Sequence, residues 1–193
     1  LDRSWQSEPE ESLTVSWLFC SLEPQQLQWL PLAAGMALHQ SLESQLGQQA
    51  GLFVKWPNDL VLGGRKLAGI LTEMSLEGES GHVSHVVVGI GINVHQQPED
   101  FAGEVADIAT SLDLSLGGRV CRAQLAAALL EEMDYLRREV LFAPKGWLAD
   151  YRAACLNIGR TVRLLRGDSR ETVQALRIDA VSYTHLRAHE TEA

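Results

Sequence analysis

The chain has 193 residues, of which 46% are apolar and 21% charged, with a formal net charge of −9 at pH 7. That composition suits an ordinary globular domain with a small appendage and a sizeable core. An acidic chain does not favour a nucleic-acid surface, and no apolar run approaches the ~20 residues needed to span a bilayer. No secretory leader opens the chain. Leu1 to Trp5 carry no helix-start or strand-start signal, so the first residue reads as an internal point of a longer protein. Cys20, Cys121 and Cys155 form neither a metal spacing nor a disulfide framework. They are expected to be reduced, mostly buried thiols in a cytosolic protein.

Leu13 to Phe19 alternates and then turns continuously apolar, which predicts a strand. Pro24 and Pro31 stand where helix starts tolerate proline. From Leu30 to Leu46 the apolar residues recur at helical spacing, giving an amphipathic helix that ends near Gly47. Gly51 to Trp56 predicts a short strand stopped by Pro57-Asn58-Asp59. Leu60 to Leu62, Gly63-Gly64 and Lys66 to Met74 read as a hairpin with a glycine turn. A further turn at Glu77 to Gly81 precedes a strand from His85 to Ile92. Residues 96–118 read mostly as loop, Arg122 to Glu139 as a helix, and Pro144 as the start of another.

Arg160 to Leu165 and Thr172 to Ile178 predict two strands around the turn Arg166-Gly167-Asp168, the start of an all-β piece that does not finish. After Ala180 the text has no strand alternation and no glycine turn. It resembles translated sequencing-adapter read-through, and 181–193 is expected to be a foreign tail. The spacing of His185 and His189 could face a zinc ion from a helix, but no third ligand is in view. The fold expected is α+β: a mixed, largely antiparallel sheet with helices on one side. Residues 1–156 would form the main domain and 157–180 an incomplete small all-β C-terminal domain.

Three segments carry candidate chemistry. In Val54-Lys55-Trp56-Pro57-Asn58-Asp59 a lysine ends a strand, and a proline turn presents an amide and a carboxylate. Lysine meets phosphate as a point charge, and Asn and Asp oxygens suit Mg²⁺ on substrate phosphates. An ordinary Pro-Asn-Asp turn explains the same residues. In Arg65-Lys66-Leu67-Ala68-Gly69-Ile70-Leu71 a lysine opens an apolar strand. A glycine inside a strand marks close approach by a ligand or another backbone; relief of a bend is the alternative. In Gly89-Ile90-Gly91-Ile92-Asn93 the alternating glycines leave a flat strip against which a planar ligand could lie. It is not a dinucleotide fingerprint, because no G-x-x-G follows and no helix opens there. A bulge or tight sheet crossing reads equally well.

In this order and spacing the three segments resemble the biotin–protein ligase family, from about Arg3 to about Ala180. The resemblance implies a class II synthetase-like ligase domain that uses ATP and Mg²⁺ to join biotin to a lysine of a biotin carboxyl carrier protein through biotinyl-5′-AMP. It implies that Lys66 contacts the biotin carboxylate and the α-phosphate. Gly69, Gly89 and Gly91 would border the biotin and adenylate pocket, and Lys55, Asn58, Asp59 and Asn93 would handle ATP phosphates, ribose or Mg²⁺. Arg3 would be the last remnant of an arginine-glycine loop that closes over biotin. That loop would lie just before Arg3, and Ser7 to Ser12 is more acidic than the family's stretch there, so this segment by itself is expected to bind biotin poorly and leak adenylate. The resemblance implies a cytoplasmic enzyme without a membrane or nucleic-acid partner in this segment, and leaves homodimerisation through a sheet edge open. A lipoate or octanoate ligase, a ligase with an upstream repressor domain, and an inert fragment are the competing readings.

Overall fold

The computed structural model describes residues 8–47, 51–77, 82–142, 144–166, 169–178 and 184–188. Five antiparallel strands form the main sheet: β1 (Ser12–Cys20), β2 (Leu52–Lys55), β3 (Asp59–Leu62), β4 (Arg65–Glu77) and β5 (His82–Asn93). Their order is β1-β5-β4-β3-β2. Alternation decides which face is buried. Val86, Val88, Ile90 and Ile92 of β5 point to the core, as do Leu60 and Leu62 of β3 and Val54 of β2.

Helix α1 (Pro24–Leu46) lies on that face. Its N-terminus is closed by Gln26 Oε1, which accepts from the Glu23 N–H at 2.8 Å, and Pro24 occupies the first turn, where no N–H partner is needed. The helix begins at Pro24, the earlier of the two prolines read as possible starts, and Pro31 lies inside it. It is buried almost all round from Trp29 to Leu42 because it is covered twice. The sheet touches it on one side, where a Cβ on Gly35 would lie 3.6 Å from Val54 and 3.7 Å from Ile70. On the other side pack α3 (Arg122–Tyr135) and α4 (Pro144–Ala154), with Trp29, Trp147 and Tyr151 stacked edge to face at 5.8 and 6.1 Å.

Helix α3 buries the stripe Leu125, Leu129, Met133 expected of it. It then loosens into a π turn, Leu136–Val140, in which the Leu141 N–H bonds five residues back to Leu136 O. That wider turn returns Leu141 to the core beside Leu136. Residues 96–118 hold more structure than their composition suggests: 3₁₀ turns at Pro98–Asp100 and Gly103–Val105, then the short helix α2 (Leu112–Leu116) capped by Ser111. A second sheet joins β6 (Thr161–Arg166), β7 (Ser169–Ile178) and β8 (Thr184–Ala188) in the order β6-β7-β8. The segment 184–188 is therefore a paired strand, although its sequence shows no alternation; backbone pairing with β7 supplies what side-chain pattern does not. Of the three cysteines only Cys155 is buried. Cys20 ends β1 and Cys121 precedes α3, both exposed.

No helix among the described residues is long and apolar enough to cross a membrane. Leu38 is fully buried within the double layer. Leu38→Ala should cost about 2–5 kcal/mol through lost transfer energy and a residual cavity, read as a lower urea midpoint with an unchanged slope.

Candidate functional site

The candidate residues converge on the sheet face away from the helices. Register sets Lys55 opposite Asp59, Asp59 opposite Gly69, Gly69 opposite Gly91 and Gly91 opposite Thr14, one row across all five strands. The next row on the same face is Leu71, Gly89, Ser16. Charge sits at the β2–β3 end of the first row, followed by a glycine floor.

Lys66 reaches this face through a β-bulge. Leu60 pairs with Ala68, yet the next residue, Val61, pairs with Lys66, so Leu67 is extra. By simple alternation Lys66 would share the core face of Ala68 and Ile70. The extra residue moves it to the face of Val61 and Asp59, and its Nζ lies 2.6 Å from Asp59 Oδ1. Both side chains are partly buried. Screening by water is therefore incomplete, and the carboxylate fixes the direction of the ammonium. Lys55, at the exposed strand end, stands opposite Asp59 in the register, so this end of the face carries two lysines and one aspartate, a balance suited to a carboxylate or phosphate oxygen.

The backbone of Lys66 is held from a distant segment. Its N–H donates to Ile108 O at 2.6 Å, and its carbonyl accepts from the Thr110 N–H at 2.9 Å, which makes a parallel bridge to Ala109. The turn at 56–58 is held as well. Asn58 Nδ2 donates to Ile70 O at 2.9 Å, and Asn58 O accepts from the Ile70 N–H at 2.8 Å. The Trp56 N–H donates to Asn157 Oδ1 at 2.8 Å. Asn58 thus ties the turn to β4 through its amide nitrogen.

Asn93 sits two residues beyond Gly91 on the same face but is buried. Its Nδ2 donates to Thr110 O at 3.0 Å, and its Oδ1 accepts from Gln96 Nε2 at 3.2 Å. Both ends of its amide are engaged inside the protein, so it closes the end of the floor. Arg3 lies outside the described residues, as does His189. Among the described residues no group of three or more His, Cys, Asp or Glu is placed to hold a metal.

Sequence reasoning missed Thr110, Ser111, Asp113, His95, Gln96 and Asn157. Each lies in loop-like sequence and acts through contacts distant in the chain. The only signal available was the polar run after Asn93, of which His95 and Gln96 turn out to be buried.

The chain belongs to the Biotin/lipoate A/B protein ligase family, whose sequence profile matches residues 2–93. Within that family it stands among the biotin–protein ligases. It is 35% identical over 174 residues to the bifunctional ligase/repressor BirA of Bacillus subtilis, covering 86% of this chain and 51% of that protein. It is 41% identical over 138 residues to the biotin–[acetyl-CoA-carboxylase] ligase of Mycobacterium tuberculosis, covering 70% and 47%. The chain thus spans about half the length of the curated relatives it matches. Its fold superposes on the biotin protein ligase of Aquifex aeolicus with a TM-score of 0.77 at 25% identity, over 94% of this chain and 77% of that one. The same enzyme in complex with biotin and ATP gives a TM-score of 0.73 at 26% identity, over 97% and 76%.

Gly89 offers a direct test of the floor. A Cβ there would meet only Leu71 O, at 3.7 Å, which is ordinary contact, so the chain's own packing does not require glycine. Gly89→Ala should keep or slightly raise stability, within about 1 kcal/mol, while weakening any ligand laid on the strip. Paired denaturation and ligand titration separate the two effects; a large loss of stability would show that the glycine is structural.

Proposed function

We propose that the protein is an ATP-dependent biotin ligase acting through biotinyl-5′-AMP, and that this chain carries the adenylation part of its site. The observation that carries the reading is the bulge-directed Lys66, held beside Asp59 on the face where Gly69, Gly89 and Gly91 stand in adjacent rows. A carboxylate is a poor acylating agent. Its oxygen attacks the α-phosphorus of ATP, an acyl–phosphate bond forms and pyrophosphate leaves. A carrier lysine amine then attacks the acyl carbon, the amide forms and AMP departs. The protein's task is to bring two anions together and offset the charge that develops on phosphorus.

In this reading the Lys66 ammonium lies between the biotin carboxylate and the α-phosphate, and stabilises the transition state as charge moves onto the bridging oxygens. Gly69, Gly89 and Gly91 let the ligand lie flat on the sheet. Lys55 meets the outer phosphates. Asp59 orients Lys66 and would be the carboxylate available to a Mg²⁺ that arrives with the nucleotide. A single carboxylate already paired with a lysine suits a cation that arrives with phosphates and keeps its waters, rather than a resident metal cage. Asn58 and Asn93 act by fixing the turn and the end of the floor, and Arg3 belongs to the loop that closes over biotin. The macromolecular partner is a biotin carboxyl carrier protein, and the setting is the cytoplasm, where ATP is supplied.

Biotin-dependent exchange of pyrophosphate into ATP tests the reading. Lys66→Ala should lower the exchange rate by about 10²–10³ with an unchanged circular dichroism spectrum. Wild-type exchange in that variant would remove Lys66 from its role. Exchange driven by lipoate and not by biotin would move the protein to the lipoate branch of the family. Binding of neither ligand would make this stretch an inert segment of its parent.

A further inference from the structure

Lys66 stands where its neighbour in the sheet changes. The β4–β5 ladder runs to Ala68 opposite Ile92 and stops, and the segment 108–110 takes the place of β5 beside Lys66, in the parallel sense. Both backbone hydrogen bonds of Lys66 go to that segment. A three-residue patch with no ladder of its own cannot hold itself there, so something else must fix it.

The Asn93 amide holds Thr110 O directly; a second fixing point is Asp113, at the start of α2. Its N–H donates to Val94 O at 2.9 Å, its Oδ1 accepts from the Val120 N–H at 2.8 Å, and its Oδ2 lies 2.8 Å from His95 Nδ1. Both side chains are largely buried, with relative exposures of 8% for His95 and 14% for Asp113. One carboxylate therefore joins the end of β5, the head of α2 and the turn before α3. Ser111 adds a parallel tie, its Oγ donating to Gln96 O at 2.7 Å. With both ends of 95–113 pinned, Ile108 to Thr110 have one place to lie, against Lys66.

We propose that Asp113, through His95, is a positioning residue for Lys66. It touches no reacting atom. It holds the segment that fixes the Lys66 backbone, and so the direction from which the ammonium meets its anions. The catalytic consequence rests on the ligase reading; the positional claim does not.

Amide hydrogen exchange on the full chain decides the positional claim. In Asp113→Ala the Lys66 and Thr110 amides should exchange about tenfold faster, as local opening loses its restraint, while Ile90, paired on both sides in the middle of the sheet, stays protected. Asp113→Asn should restore protection, since its Oδ1 still accepts from the Val120 N–H and its amide group still reaches His95 Nδ1. His95→Ala keeps the Val120 bond and serves as the second probe should Asp113→Ala fail to fold. Wild-type protection of Lys66 and Thr110 in the folded alanine variants would overturn the proposal. In pyrophosphate exchange the alanine variants should lose about tenfold in kcat, the scale expected of a small misplacement, with the KM for biotin held within about twofold and with recovery in Asp113→Asn. Loosened amides with unchanged kcat would overturn the catalytic consequence alone. A wild-type chain without biotin-dependent exchange would count against the ligase reading and leave the exchange result to judge the positioning.

Discussion

The site depends on the backbone of Lys66 finding partners after β5 has turned away. A peptide unit deep in a sheet with neither donor nor acceptor satisfied costs on the order of 1–3 kcal/mol per group. Ile108 O and the Thr110 N–H satisfy both groups. That pairing in turn demands that a loop-like stretch be held like a strand. The buried polar cluster around Asn93, Gln96, Thr110 and Ser111 exists in the structure to do this, and its amide and hydroxyl groups bond chiefly to one another and to nearby backbone. Such networks stabilise a fold when every member is satisfied, and they then fix one arrangement.

The two faces of the sheet divide the labour. One is covered by α1, itself covered by α3 and α4, so the strands are backed by a close-packed double layer that does not yield to a ligand. The other carries glycines in register on β4 and β5 and charged side chains where β2 and β3 meet. A flat floor and an ammonium at its edge are useful only if their relative position is rigid, and the packed face provides that rigidity. The bulge at Leu67 is the device that connects them. It keeps Ala68 and Ile70 in the core while sending Lys66 to the opposite side.

The C-terminal part is joined to this arrangement and not merely appended. Leu156 N–H donates to Val54 O, and Asn157 receives the Trp56 N–H, so the chain leaving α4 closes the outer edge of β2 beside the Pro57 turn. Arg152 Nε donates to Ile178 O at 2.8 Å, and Ile178 is buried in the main core. The stretch between α4 and β6 therefore braces the turn that carries Asn58, and α4 ties the second sheet to the main core through Arg152 and Ile178.

Much of this was legible in the sequence. Period-two alternation marked β1, the glycine turn at Gly63-Gly64 marked the hairpin around it, a stripe at helical spacing marked α3, and proline placed the start of α4, because local periodicity and turn chemistry act over a few residues. The order of the lysine-proline turn, the lysine strand and the glycine strip was enough to suggest the family. Three things were decided only by tertiary structure. The face of Lys66 depends on a bulge, and one extra residue reverses every inference from alternation. The order within 96–118 comes from hydrogen bonds to β5 and Lys66 that no local pattern encodes. The pairing of 184–188 comes from backbone bonds to β7, which any side chains can accept. Sequence by itself determined which chemistry is present; the register of distant backbone groups decided where its key ammonium points.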